Sequence, residues 1–178
     1  MHRSGRILAC TALAALALGV VATAAGAHVE VEPPRAKAGG TVDLVFSPLN
    51  EEDDAGTTKV EIVFPKQYPI ATATPEASDT WQAAVSTRKV RKPITAADGK
   101  KTRTAVDTVT WTGGPSATSG NFELPAITVG RLPENTKQLV FKVVQTYANG
   151  HVDRWIQKSV RGTPEPEFPA PVLRVTKS

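Results

Sequence analysis

Sulfur-bearing side chains and histidines are both scarce. Cys10 and Met1 are the only cysteine and methionine, and both fall within the first ten positions of the 178-residue chain. Beyond them there is no disulfide framework, no thiolate metal site and no cysteine nucleophile. The three histidines are His2, His28 and His151. The sequence contains no G-x-S-x-G, H-E-x-x-H or C-x-x-C and no phosphate-cradling glycine loop. The common signatures of serine hydrolases, zinc proteases, thiol redox proteins and nucleotide-binding folds are therefore missing. A catalytic triad would have to use His28 or His151, so an enzyme is not expected. Aromatics make up 6% of the residues and are not interleaved with the basic ones, so no nucleic-acid partner is expected.

What is present begins with one apolar run, residues 7–21, with no second run after it. Arg3 and Arg6 precede it, and Ala25 and Ala27 occupy the small-residue positions of an A-x-A cleavage site. That pattern reads as a secretory signal peptide, and the run is short for a membrane span. The expected organisation is a signal peptide at 1–27 and a single domain at 28–178, exported to the periplasm, cell surface or medium, with no transmembrane anchor. The formal net charge of +4 is unevenly spread. Residues 28–79 carry ten acidic and four basic side chains, and residues 81–178 seven acidic and fifteen basic. An acidic first third suits a cation better than an anion.

After residue 27 the period is that of strands. Val29 and Val31 alternate with His28, Glu30 and Glu32 until Pro33-Pro34. Val42, Leu44 and Phe46 share one face of the next segment, and Val60, Ile62 and Phe64 one face of the segment at 57–65. Further strands are expected at 80–92, either paired or bent, and at 104–112, 122–129, 137–147, 151–158 and 172–175, with 69–79 irregular. Asp98-Gly99 and Asn149-Gly150 are hairpin turns. Lys89, Arg91, Lys92, Lys100, Lys101 and Arg103 line the first hairpin, where lysine on an exposed strand commonly blocks edge pairing. No segment sustains a helical period. The expected fold is all-β, an immunoglobulin-like antiparallel β-sandwich. Trp111 and Trp155 read as buried strand aromatics, and His151 as a solvated hairpin residue.

The junction Ala25-Gly26-Ala27 / His28 carries the chemistry. Cleavage after Ala27 makes His28 the N-terminal residue and frees its α-amine, whose ordinary pKa of about 7.7–8.0 leaves the lone pair accessible near neutrality. Amine and imidazole Nδ1 of one residue can close a chelate ring on one metal ion. Nitrogen donors of this kind suit Cu(II), and a carboxylate completes a tetragonal N,O set. The densest source of carboxylates is the loop Glu51-Glu52-Asp53-Asp54. With no cysteine or methionine after residue 27, the soft ligands that favour Cu(I) are missing.

Five ordered motifs sharpen this reading: A-H-V-E-V-E-P at 27–33, P-L-N-E-E-D-D-A-G-T-T-K-V at 48–60, V-T-W-T-G-G at 109–114, F-K-V-V-Q-T-Y-A-N-G-H-V-D-R-W-I at 141–156 and P-E-P-E-F-P-A-P-V-L at 164–173. Together they resemble the YcnI-like family. The resemblance implies a bacterial, exported, immunoglobulin-like protein of copper homeostasis. It implies Cu(II) bound by a monohistidine brace, the terminal amine and imidazole of the first mature residue plus a glutamate, with a tryptophan beside the metal. On this sequence those are His28, Glu51 and Trp155. The implied partners are the copper ion and a copper transporter or other exported copper-handling protein. Two other functions share the same fold and leader: an oxidative copper enzyme of the polysaccharide monooxygenase type, and a metal-free adhesion or interaction module.

Overall fold

The structure is a computed structural model that describes residues 28–114 and 120–177. The expected signal peptide at 1–27 lies outside them. Every regular element among the described residues is a strand. In chain order these are β1 (Glu30–Glu32), β2 (Arg35–Lys37), β3 (Val42–Ser47), β4 (Leu49–Asn50), β5 (Thr57–Val63), β6 (Thr72–Pro75), β7 (Trp81–Thr95), β8 (Lys101–Gly113), β9 (Gly120–Asn121), β10 (Ile127–Gly130), β11 (Gln138–Val140), β12 (Lys142–Tyr147), β13 (Val152–Trp155) and β14 (Val172–Thr176).

Two sheets form the layers. One runs β1-β3-β10-β6 and the other β13-β12-β5-β8-β7, with a three-stranded β11-β14-β2 sheet and a short β4-β9 pair beside them. The alternation in the sequence sets which side chains meet. Val31, Leu44, Phe46, Ile127 and Val129 from the first sheet and Val60, Ile62, Val109, Trp111 and Val143 from the second enter one core. Phe141 sits between them, edge-on to Phe46 and to Phe64 with ring centroids 5.3 Å apart in both cases. Each such fully buried large side chain contributes roughly 1.5–3 kcal/mol relative to exposure. This is the expected immunoglobulin-like sandwich, held by core burial and backbone pairing.

Several boundaries differ from expectation. Residues 137–147 are not one strand: β11 pairs with β14 and β12 with β5, and the chain changes sheets at Phe141, whose N–H donates to Pro171 O at 3.0 Å. The expected strand at 122–129 contracts to β10, preceded by the two-residue β9, which pairs with β4 just before the acidic loop. Residues 72–75, expected as irregular, form β6 at the sheet edge, where Pro75 has no outer partner to satisfy. The sheets are not wholly antiparallel, because β14 pairs with β2 in parallel. The 80–92 segment is a single long strand with register shifts at Ser86/Thr87 and Lys89/Ile94. Its outer edge is unpaired, and Lys89, Arg91 and Lys92 face solvent, whereas Arg88 is partly buried and pairs with Asp107 at 3.3 Å.

The registers gather chain ends. β1 begins opposite the end of β3, β5 begins opposite the end of β12, and the β12–β13 turn closes beside them. His28, the acidic loop and the Asn149-Gly150 turn therefore share one end of the sandwich.

Candidate metal centre

His28 leads into β1, whose register pairs Glu30 with Ser47 and Val31 with Phe46. Val29 and Val31 are buried in the core, which turns His28 and Glu30 outward. Carried two residues back, the same register sets His28 opposite Leu49, two positions before Glu51. The imidazole is half-exposed, and its Nε2 lies 3.0 Å from Oε1 of Glu165.

Asn50 shapes the acidic loop. It is buried, its Nδ2 donates to Ala55 O at 3.0 Å, and its Oδ1 accepts the N–H of Glu52 at 3.0 Å. A side chain that bonds the backbone two residues on fixes a tight local turn. The two glutamates that follow Asn50 then separate. Glu52 accepts from Asn149 Nδ2 at 2.9 Å and lies 3.9 Å from His151 Nε2. Glu51 takes no hydrogen bond to its carboxylate from any described side chain. Partial desolvation, followed by the charges of Asp153 and Glu167, raises its carboxyl above the ordinary range. A cation beside Glu51 would relieve that repulsion.

Asp153 is the buried member of this cluster. Its Oδ2 accepts from Tyr147 OH at 2.7 Å and its Oδ1 lies 3.0 Å from His151 Nε2. His151 is thus not merely solvated: a carboxylate only accepts, so the neutral ring carries its proton on Nε2. The turn that delivers it is held by Gly150 N–H to Tyr147 O at 3.0 Å and His151 N–H to Asn149 Oδ1 at 2.9 Å. Trp155, two residues beyond Asp153 on the same face of β13, is fully buried, and its ring meets Phe168 edge-on at 5.1 Å. The indole N–H of Trp155 has no acceptor among the described residues, but Trp111 shares that property, so it does not single out Trp155.

The residues that sequence reasoning missed lie on one segment. Glu165 reaches His28, the charge of Glu167 acts on Glu51, and Phe168 packs on Trp155. Each of the three expected site residues is therefore faced by a residue of 165–168. The available signal was the acidic pair spaced by two between prolines in P-E-P-E-F. Among the described residues no group of three or more His, Cys, Asp and Glu is arranged to hold a metal ion. A brace of one amine, one imidazole and one carboxylate does not need such a group, and the donor chemistry of His28 and Glu51 fits it.

The profile of the family described as a domain of unknown function (DUF1775) matches residues 28–175. The chain belongs to that family. The YcnI-like motifs and the DUF1775 match designate the same family. A crystal structure of an uncharacterized protein from Nocardia farcinica, described as having an immunoglobulin-like fold, is similar to this DUF1775 chain. It has a TM-score of 0.64 and 27% identity over 83% of this chain and 97% of that one. A non-cellulosomal cohesin from Archaeoglobus fulgidus has a TM-score of 0.44 and 8% identity over 85% of this chain and 92% of that one. No curated protein matches the chain. Among the described residues no helix is long and apolar enough to cross a membrane.

Proposed function

We propose that the processed protein is an exported Cu(II)-binding protein of copper homeostasis, which takes up, buffers or hands on the ion outside the cytoplasm. His28 amine and imidazole and the Glu51 carboxylate are the proposed donors, and Trp155 the aromatic beside them. The observation that carries this reading is the loop built on Asn50. It bonds Glu52 to Asn149 and leaves the Glu51 carboxylate without a hydrogen bond from any described side chain, in a field of carboxylates, at the sandwich end where β1 starts. The family match also begins at residue 28, the expected first mature residue.

The donor set is one amine, one imidazole and one carboxylate, with no sulfur after residue 27, which favours Cu(II) over Cu(I). Delivery of Cu(I) would draw on a partner's ligands, and the proposed partner is a copper transporter or another exported copper-handling protein. A non-enzymatic role is favoured over the oxygenase type. A second histidine would be required for that brace, and the ring Nε2 of His151 is engaged with Asp153.

The test is intact mass spectrometry during Cu(II) titration of exported, processed protein, beside a form carrying one extra alanine before His28. One tightly bound copper is expected on the first form only. Equal binding by both would remove the amine from the site and leave a β-sandwich without an assigned metal.

A further inference from the structure

We infer that Glu165 is a positioning residue for the His28 imidazole, holding it in the one tautomer that can close a chelate ring with its own amine. The inference rests on the brace reading and adds the group that prepares it. A neutral imidazole has a single N–H. The Oε1 of Glu165 lies 3.0 Å from Nε2, and a carboxylate can only accept, so the proton sits on Nε2. The lone pair is then on Nδ1, the nitrogen that closes a six-membered ring with the amine of the same residue. Nε2 points away from that amine and cannot close the ring. The carboxylate thus occupies the nitrogen that the brace leaves unused. Histidines that bind metals generally donate their other N–H to a carboxylate or carbonyl, which fixes the tautomer, orients the ring and raises its basicity.

The placement of Glu165 is built into the chain. It lies between Pro164 and Pro166, each of which restricts its own φ and the conformation of the residue before it. Immediately beyond, the segment is tied to the end of β13. Phe168 N–H donates to Gln157 Oε1 at 2.9 Å, Gln157 N–H to Phe168 O at 3.0 Å, and Ala170 N–H to Gln157 O at 2.8 Å. The Phe168 ring is seated on buried Trp155. A short, proline-stiffened arm thus runs from this anchor back to His28. The same arm brings the charge of Glu167 to Glu51, so both proposed side-chain ligands are addressed by one segment.

The experiment uses processed protein with Glu165→Ala and Glu165→Gln. Three quantities are read: the His28 tautomer by ¹⁵N NMR without metal, the Cu(II) dissociation constant by competition titration, and the Cu(II) EPR spectrum. The wild type is expected to show the Nε2–H tautomer. Glu165→Ala is expected to mix the tautomers and weaken copper binding by about 10–100-fold, the usual effect of removing such a partner, with the EPR parameters of the donor set retained. Glu165→Gln keeps a carbonyl that accepts the same N–H and is expected to recover most of the affinity. Glu165 is well exposed, so both variants should unfold at the wild-type temperature.

Wild-type tautomer and affinity in Glu165→Ala would overturn the assignment. So would an equal loss in both variants with an altered EPR spectrum, because Glu165 would then be a ligand itself. A wild-type protein that binds no copper is a distinct result: it removes the brace, and with it the role of Glu165 toward a metal.

Discussion

The phenol of Tyr147 donates a 2.7 Å hydrogen bond to Oδ2 of Asp153, and both residues are buried at the end of the sandwich that carries the acidic loop. Asp153 also meets His151, whose Nε2 lies 3.0 Å from Oδ1. Tyr147→Phe keeps the ring and deletes only the hydroxyl, leaving a buried carboxylate oxygen unmet. A loss of about 1–3 kcal/mol is expected, read from urea unfolding. A Tyr147→Phe protein as stable as the wild type would show that water replaces the phenol.

The same phenol makes stability depend on alkaline pH. Burial, then the bond to Asp153, raises its pKa well above the ordinary value of 10.0. Above about pH 10 the unfolded chain releases this proton while the folded chain keeps it, so the unfolded state binds fewer protons and stability falls as pH rises. Below that range both states hold the proton and Tyr147 contributes no slope. Urea midpoints measured between pH 8 and 11 should therefore decline at the upper end, and less steeply in Tyr147→Phe.

Gly114 accepts no side chain. Its φ is +105°, and a Cβ there would come within 2.5 Å of the Trp81 ring, which stacks on Phe122 at 5.8 Å. Gly114→Ala is expected to cost about 1–3 kcal/mol from backbone strain alone. Displacement of Trp81 adds to that cost and should appear as a shift in tryptophan emission. An unshifted spectrum with full stability would mean that the V-T-W-T-G-G turn can rearrange freely.

Much of the sandwich is legible in the sequence because alternation reports burial directly. Val29/Val31, Leu44/Phe46 and Val60/Ile62/Phe64 are all buried as their spacing implies. Changes of sheet are not legible in this way, since Phe141 continues an apolar pattern while the backbone exchanges β14 for β5 as its partner. The site divides similarly. His28 stands out by its position at the expected cleavage junction, and the motif P-x-N-E has a local cause in the turn made by Asn50. Glu165 and Glu167 lie more than a hundred positions from His28 and Glu51, and only tertiary folding brings them together.

Trp155 offers two separable effects. The side chain is fully buried against Phe168, so Trp155→Ala should cost about 3–5 kcal/mol through the cavity it leaves. Trp155→Phe should cost less, because it keeps an aromatic ring and removes an indole N–H that has no acceptor among the described residues. If copper binds beside it, Cu(II) should quench a component of tryptophan emission in the wild type that Trp155→Phe lacks. Equal fractional quenching in both would move the metal away from β13.

Glu51→Gln should separate stability from metal binding. The carboxylate sits near Asp153 and Glu167, and partial burial together with their charges raises its pKa above that of a free glutamate. Between those two values the folded protein binds more of this proton than the unfolded chain does, so stability is lost as pH rises through the interval. At neutral pH the ionised group is therefore mildly unfavourable to the fold. Neutralising it as glutamine should raise stability slightly, by no more than about 0.5 kcal/mol given solvent screening at an exposed site. The same change removes the anionic oxygen donor and should weaken Cu(II) binding. A residue that is unfavourable to the empty fold and favourable to the loaded one is what a binding site selects for. Thermal unfolding with and without Cu(II) reads both effects: Glu51→Gln should unfold at or above the wild-type temperature without copper and show less stabilisation with it. A variant less stable than the wild type without metal, yet equally stabilised by copper, would make Glu51 a structural residue and transfer the carboxylate role to another member of the loop.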